Sequence, residues 1–215
     1  MADWATISSL ATAGGTLVLA IATFSSVRSA NRSARTAERA LQVGLRPVLM
    51  PSRFDDPKMK ITWREGQHTL VQGGRASVEE NGGDVFLAIS LRNVGAGIAV
   101  LQGWQVTPRG RPAPGEPVSF PDRPDPGEFR RQGRDLYVPA GDVSFWQGRV
   151  VGADEDYAAI HDSIAMEQPL GVYLWYSDHE GGQSAVSLFL LDPASDTQWL
   201  CSVVRHWNLD RPDPR

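Results

Sequence analysis

The chain has 215 residues, which is enough for one domain of ordinary size and an appendage. Its formal net charge of -4 excludes the generally basic surface of a nucleic-acid-coating protein, so we expect no nucleic-acid partner. The single cysteine, Cys201, excludes an intramolecular disulfide, and a domain of this size can bury a core without one.

The first predicted element is an uncharged stretch from Trp4 to Val27. As a helix it would span ~36 Å at about 1.5 Å per residue, against about 30 Å of hydrocarbon in a bilayer. Residues 1–27 are therefore interpreted as a transmembrane anchor, with the lipid bilayer as partner. One alternative is a buried helix of a soluble protein. Another is a cleaved signal peptide, although the basic start of such peptides is missing here.

The arginines are distributed asymmetrically about this stretch. No Lys or Arg precedes it, and five arginines follow it closely, namely Arg28, Arg32, Arg35, Arg39 and Arg46. The positive-inside rule then predicts a single-pass protein of the cell membrane, with its N-terminus outside and its C-terminal domain in the cytoplasm. Arg28, Arg32, Arg35 and Arg39 share one helix face by their spacing, which predicts contact with the membrane surface. The alternative is that they serve only to set the topology.

Residues 28–44 extend the same helix into a cytoplasmic, juxtamembrane segment that ends near Gly44 and Pro47. Steps of three and four along the whole helix trace a seam of mostly small residues. Its members include Ala13, Thr16, Ala20, Val27, Ala30, Ala34, Ala37 and Leu41. Small residues let helices approach closely in lipid, so the hypothesis is a homo-oligomer through this seam. The alternative is chance, in a segment this rich in Ala, Ser and Thr.

From about Leu45 the apolar residues alternate with a period of two, as in VFLAISLRN (85–93). Roughly seven to nine strands with hairpin connections predict a mainly β fold, an antiparallel β-sandwich over residues 45–207. One short helix is expected at 154–166, after an acidic start and before Pro169. Residues 108–133 are rich in Pro and Gly and are expected to form a long loop, and 208–215 a disordered tail.

A short pattern, L-x-N-x-G-x-G-x-A, occurs at Leu91, Asn93, Gly95, Gly97 and Ala99. It lacks the third glycine and the strand-to-helix context of a nucleotide loop. We expect it to be a turn between strands, with the glycines at positive φ or in a bulge. In this pattern and in its layout the chain resembles uncharacterised bacterial single-pass membrane proteins with an immunoglobulin-like β-sandwich domain. The resemblance implies an Ig-like sandwich and transfers no catalytic residue.

The remaining candidate sites are weak. His161-Asp162 and Asp178-His179-Glu180 carry metal-ligating residue types without zinc or calcium spacing, and Cys201 lies in an apolar strand where a buried, inert thiol is expected. No nucleophile, phosphate or metal motif is present, so we predict no cofactor, no metal and no catalytic residue. The sequence favours a non-catalytic interaction module for a protein partner that it does not identify. The alternatives are an enzyme with a loop-built site and a lipid- or small-ligand-binding domain.

Overall fold

The computed structural model describes residues 3–110, 122–194 and 198–212, and the chain divides into two compact units, Met1–Gly44 and Leu45–Arg215. The first unit is helix α1 (Trp4–Gly44). The second contains β1 (Leu49–Pro51), β2 (Met59–Thr62), β3 (His68–Val71), β4 (Arg75–Asn81), β5 (Asp84–Asn93), β6 (Ala99–Pro108), β7 (Arg130–Val138), β8 (Val143–Val150), α2 (Tyr157–Ala165), β9 (Leu170–Ser177), β10 (Ser184–Pro193) and β11 (Gln198–Asn208).

Helix α1 is one uninterrupted helix of 41 residues, so the predicted extension beyond the uncharged stretch is helical as far as Gly44. Its threonine hydroxyls bond within the helix: Thr12 and Thr16 each donate to the carbonyl four residues earlier, at 2.9 Å. Across the described residues, no helix combines the length and the mean hydropathy that a membrane crossing requires.

The second unit is mainly β, and all of its strand pairs are antiparallel, as predicted. On one side β5 lies between β8 and β4, with the short β1 beside its C-terminal end. On the other side the order is β11-β10-β9-β6-β7. In the described part of the chain, three residue pairs between β4 and β11 join the two halves. The sheet therefore folds over one core in a sandwich-like arrangement.

Strand β5 is buried on both faces. Val85, Leu87, Ile89 and Leu91 face the main core, as their alternation predicts. The opposite face is not solvated, because the β2–β3 hairpin packs Ile61, Trp63 and Val71 against Phe86 and Ala88. Because both faces of β5 are covered, its sequence is an almost continuous apolar run.

The leading segment, residues 45–48, is held by the Asn93 pattern. The Asn93 side chain is fully buried; its Oδ1 accepts hydrogen bonds from the amides of Val48 and Gly95, and its Nδ2 donates to the carbonyls of Gly97 and Val138. A Cβ on Gly97 would lie 1.8 Å from the Leu45 carbonyl oxygen. The expectation of positive φ was wrong: neither Gly95 nor Gly97 has it, and close chain approach is what requires glycine.

Three boundaries differ from the sequence-based expectation. Strand β7 begins at Arg130, inside the expected 108–133 loop, after a 3-10 turn at Pro126–Glu128; residues 111–121 lie outside the described part of the chain. Helix α2 begins later than predicted, at Tyr157, and ends at Ala165, close to the predicted end of the 154–166 segment. The tail was predicted as disordered from 208, but Leu209 donates its amide to Ser184 and Arg46 pairs with Asp210. These contacts hold residues 208–210 in place, and 213–215 are not described.

Candidate functional site

The arginines predicted to contact a membrane surface lie on helix α1. Arg28, Arg32 and Arg35 are exposed and line one side of the helix together with Phe24 and Val27. The side chain of Arg39 lies outside the described residues. Arg46 belongs instead to the second unit, where its guanidinium donates to Asn208 and pairs with Asp210.

The apolar side chains of α1 are also exposed. Within the uncharged stretch, every large apolar residue whose side chain is described is between 54% and 69% exposed: Leu10, Leu17, Val18, Leu19, Ile21, Phe24 and Val27. The predicted self-association seam is exposed as well, at Ala13, Thr16, Ala20, Val27, Ala30, Ala34, Ala37 and Leu41. In the single chain the large apolar side chains and the small-residue seam of the helix are therefore both exposed and available to a partner.

A cleft of about 260 Å³ in the second unit is a site that the sequence did not predict. We call it the arginine cleft. The cleft is formed by strands β6, β7 and β8, by the end of β2 and by the turn that follows β2. Its lining residues are Thr62, Trp63, Arg64, Glu65, Trp104, Arg131, Gln132, Gly133, Arg134, Gln147, Gly148 and Arg149.

An irregularity in β7 shapes one wall of the cleft. Arg131 pairs with Gly103 of β6 and Leu136 with Leu101, so residues 132–135 of β7 stand opposite Gln102 alone. Extra residues in one strand bend it and turn its side chains in a new direction. Gln132, Gly133 and Arg134 consequently line the cleft.

Two tryptophans and a glycine form its apolar part. Trp63 is buried, and its Nε1 donates to the carbonyl of Gly148 at 3.2 Å. Trp104 packs edge-on against Trp146, with ring centroids 5.4 Å apart. A Cβ on Gly148 would approach the Trp146 ring to 2.6 Å, so a glycine is needed where β8 crosses this aromatic layer.

The charges around the cleft are unbalanced. Arg149 is neutralised, because it pairs with Glu65 and donates from Nε to Asp84 at 2.9 Å, a contact that lowers the pKa of the Asp84 carboxyl. The other three lining arginines are Arg64, Arg131 and Arg134. No ion-pairing carboxylate is found for them among the described side chains.

Two of these arginines are held by aromatic rings. The guanidinium of Arg131 lies 4.6 Å from the centroid of Trp175, and that of Arg134 lies 5.7 Å from the centroid of Phe145. Arg134 also donates to Gln147 at 3.1 Å. Stacking fixes the plane of a guanidinium and leaves donors at its edge available. The neighbouring Gln132 has a buried Oε1 for which the described residues supply no hydrogen-bond donor.

The groups considered for metal or nucleophilic chemistry are placed differently. His161 pairs with Glu80 at 2.6 Å, and this hydrogen bond raises the pKa of the imidazole. In the described ranges, no three His, Cys, Asp or Glu side chains are grouped as metal ligands. Cys201 packs against the main core, and burial raises the pKa of its thiol.

The arginine cleft could have been suspected only from one signal. The run Arg130-Arg131-Gln132-Gly133-Arg134 places three arginines around a glycine at the start of a strand. The residues of β2 and β8 that complete the cleft are distant in sequence. Strand β8 is placed by its pairing with β5, and the β2–β3 hairpin is placed by its packing against β5.

Comparisons with known proteins assign no family to this chain. No protein-family model matches the chain, and searches of curated proteins and of solved structures found no significant match.

Proposed function

We propose that this chain is a membrane-tethered interaction module. Helix α1 holds the β-sandwich at the inner face of the cell membrane, with the N-terminus outside, and the domain binds a protein partner without catalysis. The observation that supports this most is a continuous helix whose uncharged part exposes its large apolar side chains and is followed directly by arginines. An exposed apolar surface of this kind is unfavourable in water, and insertion into a bilayer would bury it.

The polar residues in the stretch are compatible with that cover. Serine, threonine and glycine lower its mean hydropathy, but a hydroxyl that bonds to its own helix exposes little hydrogen-bonding capacity to lipid. Thr12 and Thr16 make such bonds, to the carbonyls of Ser8 and Thr12. The cost of inserting this helix is therefore lower than its composition alone suggests.

The arginines would fix the position and orientation of the helix. Arg28, Arg32 and Arg35 lie on one side of α1, just beyond the uncharged stretch. Near an anionic leaflet each could contribute about 1 kcal/mol, while an arginine at the bilayer centre costs about 3 kcal/mol. Both effects favour placing these side chains at the cytoplasmic headgroups.

We also propose that copies of the chain associate through the small-residue seam, and that the sandwich is of the immunoglobulin-like kind. The seam is supported by the exposure of all eight of its candidate residues, Ala13, Thr16, Ala20, Val27, Ala30, Ala34, Ala37 and Leu41. The Ig-like relationship is supported by the pattern around Asn93, which performs a buried structural task.

Membrane sedimentation tests the tether. The full-length chain is expressed in a bacterial host, and lysed cells are fractionated with an alkaline carbonate wash. We expect the wild type in the washed pellet. The double variant Val18→Arg/Ile21→Arg places two charges in the uncharged stretch and should move the protein to the supernatant, because each charge costs about 3 kcal/mol near the bilayer centre.

The matched control is Ser29→Arg/Ser33→Arg, which adds the same charge beyond the stretch and should leave the protein in the pellet. Protease added to inverted membrane vesicles should cleave the domain, and protease added to right-side-out vesicles should not. A wild-type protein that stays in the supernatant would disprove the tether, and the opposite protease pattern would disprove the orientation.

A further inference from the structure

We propose that the arginine cleft binds an acidic peptide segment of the partner, held in an extended conformation along β7. This inference rests on the proposed interaction function and names the chemistry of the partner. It depends on three features of the cleft: arginines that have no ion-pairing carboxylate among the described side chains, a side-chain acceptor that has no donor among them, and an apolar floor of limited size.

The positive charge selects an anionic ligand. Arg64, Arg131 and Arg134 line the cleft with no ion-pairing carboxylate among the described side chains, whereas Arg149 is already paired. Because aromatic rings hold Arg131 and Arg134 in position, little side-chain freedom is lost when a carboxylate binds. Arginine also presents its donors in a fork that matches the two oxygens of a carboxylate.

The hydrogen-bonding groups distinguish a peptide from a simple anion. Among the described residues the Oε1 of Gln132 has no hydrogen-bond partner, although the Gln132 side chain is partly exposed and lines the cleft, and residues 132–135 have no counterparts in β6 beyond Gln102. A free carboxylate offers acceptors only, as does a phosphate group once it is fully ionised. A peptide offers both a backbone N–H for Gln132 and acidic side chains for the arginines, and extended peptides commonly add to the edge of a sheet.

The size of the cleft also favours a peptide. Pockets that enclose small molecules usually measure about 300–1,000 Å³, and this cleft is smaller, at about 260 Å³. It is large enough for one or two side chains of a segment that continues along the surface. Trp63 and Trp104 supply the apolar contact for such a side chain.

Fluorescence anisotropy with the full-length chain in neutral detergent micelles tests the proposal. The probe is a fluorescein-labelled peptide in which glutamate and valine alternate, and the control peptide carries glutamine in place of each glutamate. We expect saturable binding of the acidic peptide that weakens as salt is added, and at least tenfold weaker binding of the glutamine peptide. These measurements on the wild type require no variant.

Variants then locate the binding site. Arg131→Gln and Arg134→Gln should each weaken binding about tenfold, which corresponds to the loss of one charge-assisted hydrogen bond. Arg75→Gln is the matched control, since Arg75 also lies over an aromatic ring, that of Phe54, but does not line the cleft. Thermal unfolding of each variant shows whether it is folded, and Arg134→Lys replaces any glutamine variant that is not.

Three outcomes would overturn the proposal: no binding of the acidic peptide, equal binding of the two peptides, or equal loss of binding in Arg75→Gln. Inorganic phosphate and short-chain phosphatidylglycerol are added as competitors. If either displaces the peptide at a concentration below the peptide's own dissociation constant, the cleft is a phosphate or lipid site. Because the assay is done in micelles, its result does not depend on whether α1 crosses a membrane.

Discussion

At Asn93 one amide side chain serves three separate parts of the domain. It accepts from the leading segment at Val48, bonds within its own turn to Gly95 and Gly97, and donates to Val138 at the end of β7. The residue is fully buried, so no solvent molecule can easily replace these bonds. This side chain therefore fixes the place at which the chain enters the sandwich.

Replacement of Asn93 by alanine should lower the free energy of unfolding by about 3 kcal/mol, because buried backbone groups would lose their partners. Urea denaturation of the full-length chain in micelles, followed by tryptophan fluorescence, measures the change. Asn81→Ala is the control: Asn81 bonds to Gln67 on the exposed surface, and its loss should cost less than about 1 kcal/mol. Equal costs at the two positions would contradict the role assigned to Asn93.

The sequence predicted that this pattern is structural, but not how it works. It named Asn93, Gly95 and Gly97 as residues of a turn, and the expected reason for the glycines was positive φ or a bulge. The actual reason is that residues 45–48 pass so close to both glycines that a Cβ at either position would clash with them. A contact between segments so distant along the chain leaves no local signal, so it could not be inferred from the pattern.

Among the elements, helix α2 depends on a neighbour in β7. Arg130 pairs with both Asp154 and Asp156, just before the helix begins, and its guanidinium lies 5.2 Å from the centroid of Trp104. The acidic start of α2 was read from the sequence as compensation for the helix dipole. The structure adds a cation that holds two of those carboxylates, although the Asp156 side chain itself makes no capping bond.

Arg130→Gln should therefore increase hydrogen exchange at the amides of α2, while the core strand β9 stays protected. Arg131→Gln is the matched control, since its side chain lies over Trp175 and makes no pair with these aspartates. Mass spectrometry of exchanged peptides measures the difference. Equal exchange in α2 for the two variants would contradict the dependence of α2 on Arg130.

The stabilisation that comes from the contact between Arg130 and Asp154 should decrease as the pH falls. Burial would raise the pKa of Asp154, but hydrogen bonds from Arg130 and from the Val151 amide outweigh it, and the pKa is lowered. A lowered pKa stabilises the folded state above the unfolded value, about 3.9, and the stabilisation is lost as pH falls through the folded pKa. The part of the α2 protection that comes from Arg130 and Asp154 should thus be lost only below about pH 4, whereas the part that comes from His161 and Glu80 is lost as the pH rises.

The sequence predicted a strand well where one face packs against the core, because its residues of the core face then recur with a period of two. Alternation in β5 correctly gave the face directed at the main core, and the position of α2 followed from its flanking residues. The hairpin β2–β3 was not expected to cover the outer face of β5. The arginine cleft was missed because its walls come from three regions, around residues 63, 133 and 148, and the β7 irregularity that shapes it depends on pairing with β6.

At the scale of the whole molecule, the oligomer predicted from the seam can be tested by crosslinking in membranes. Single cysteines at Ala13, Ala20 and Ala34 should form disulfide-linked dimers on mild oxidation, because small residues allow the helices to approach closely. Val18→Cys, on roughly the opposite side of the helix, is the control and should not crosslink. The native Cys201 is expected to stay silent, since burial raises the pKa of its thiol.

Crosslinking that is equal at the seam and at Val18, or absent from all four positions, would rule out a specific interface along this seam. The result is independent of the peptide assay, because the seam lies on α1 and the arginine cleft lies within residues 45–215.

The pairing of Arg46 with Asn208 and Asp210 brings the beginning and the end of the sandwich together. The first and last described strands of the sandwich are therefore approached from neighbouring points of its surface. The two ends are also close enough to be joined by a short linker, so the sandwich is suited to circular permutation or to insertion as a unit into a loop of another protein.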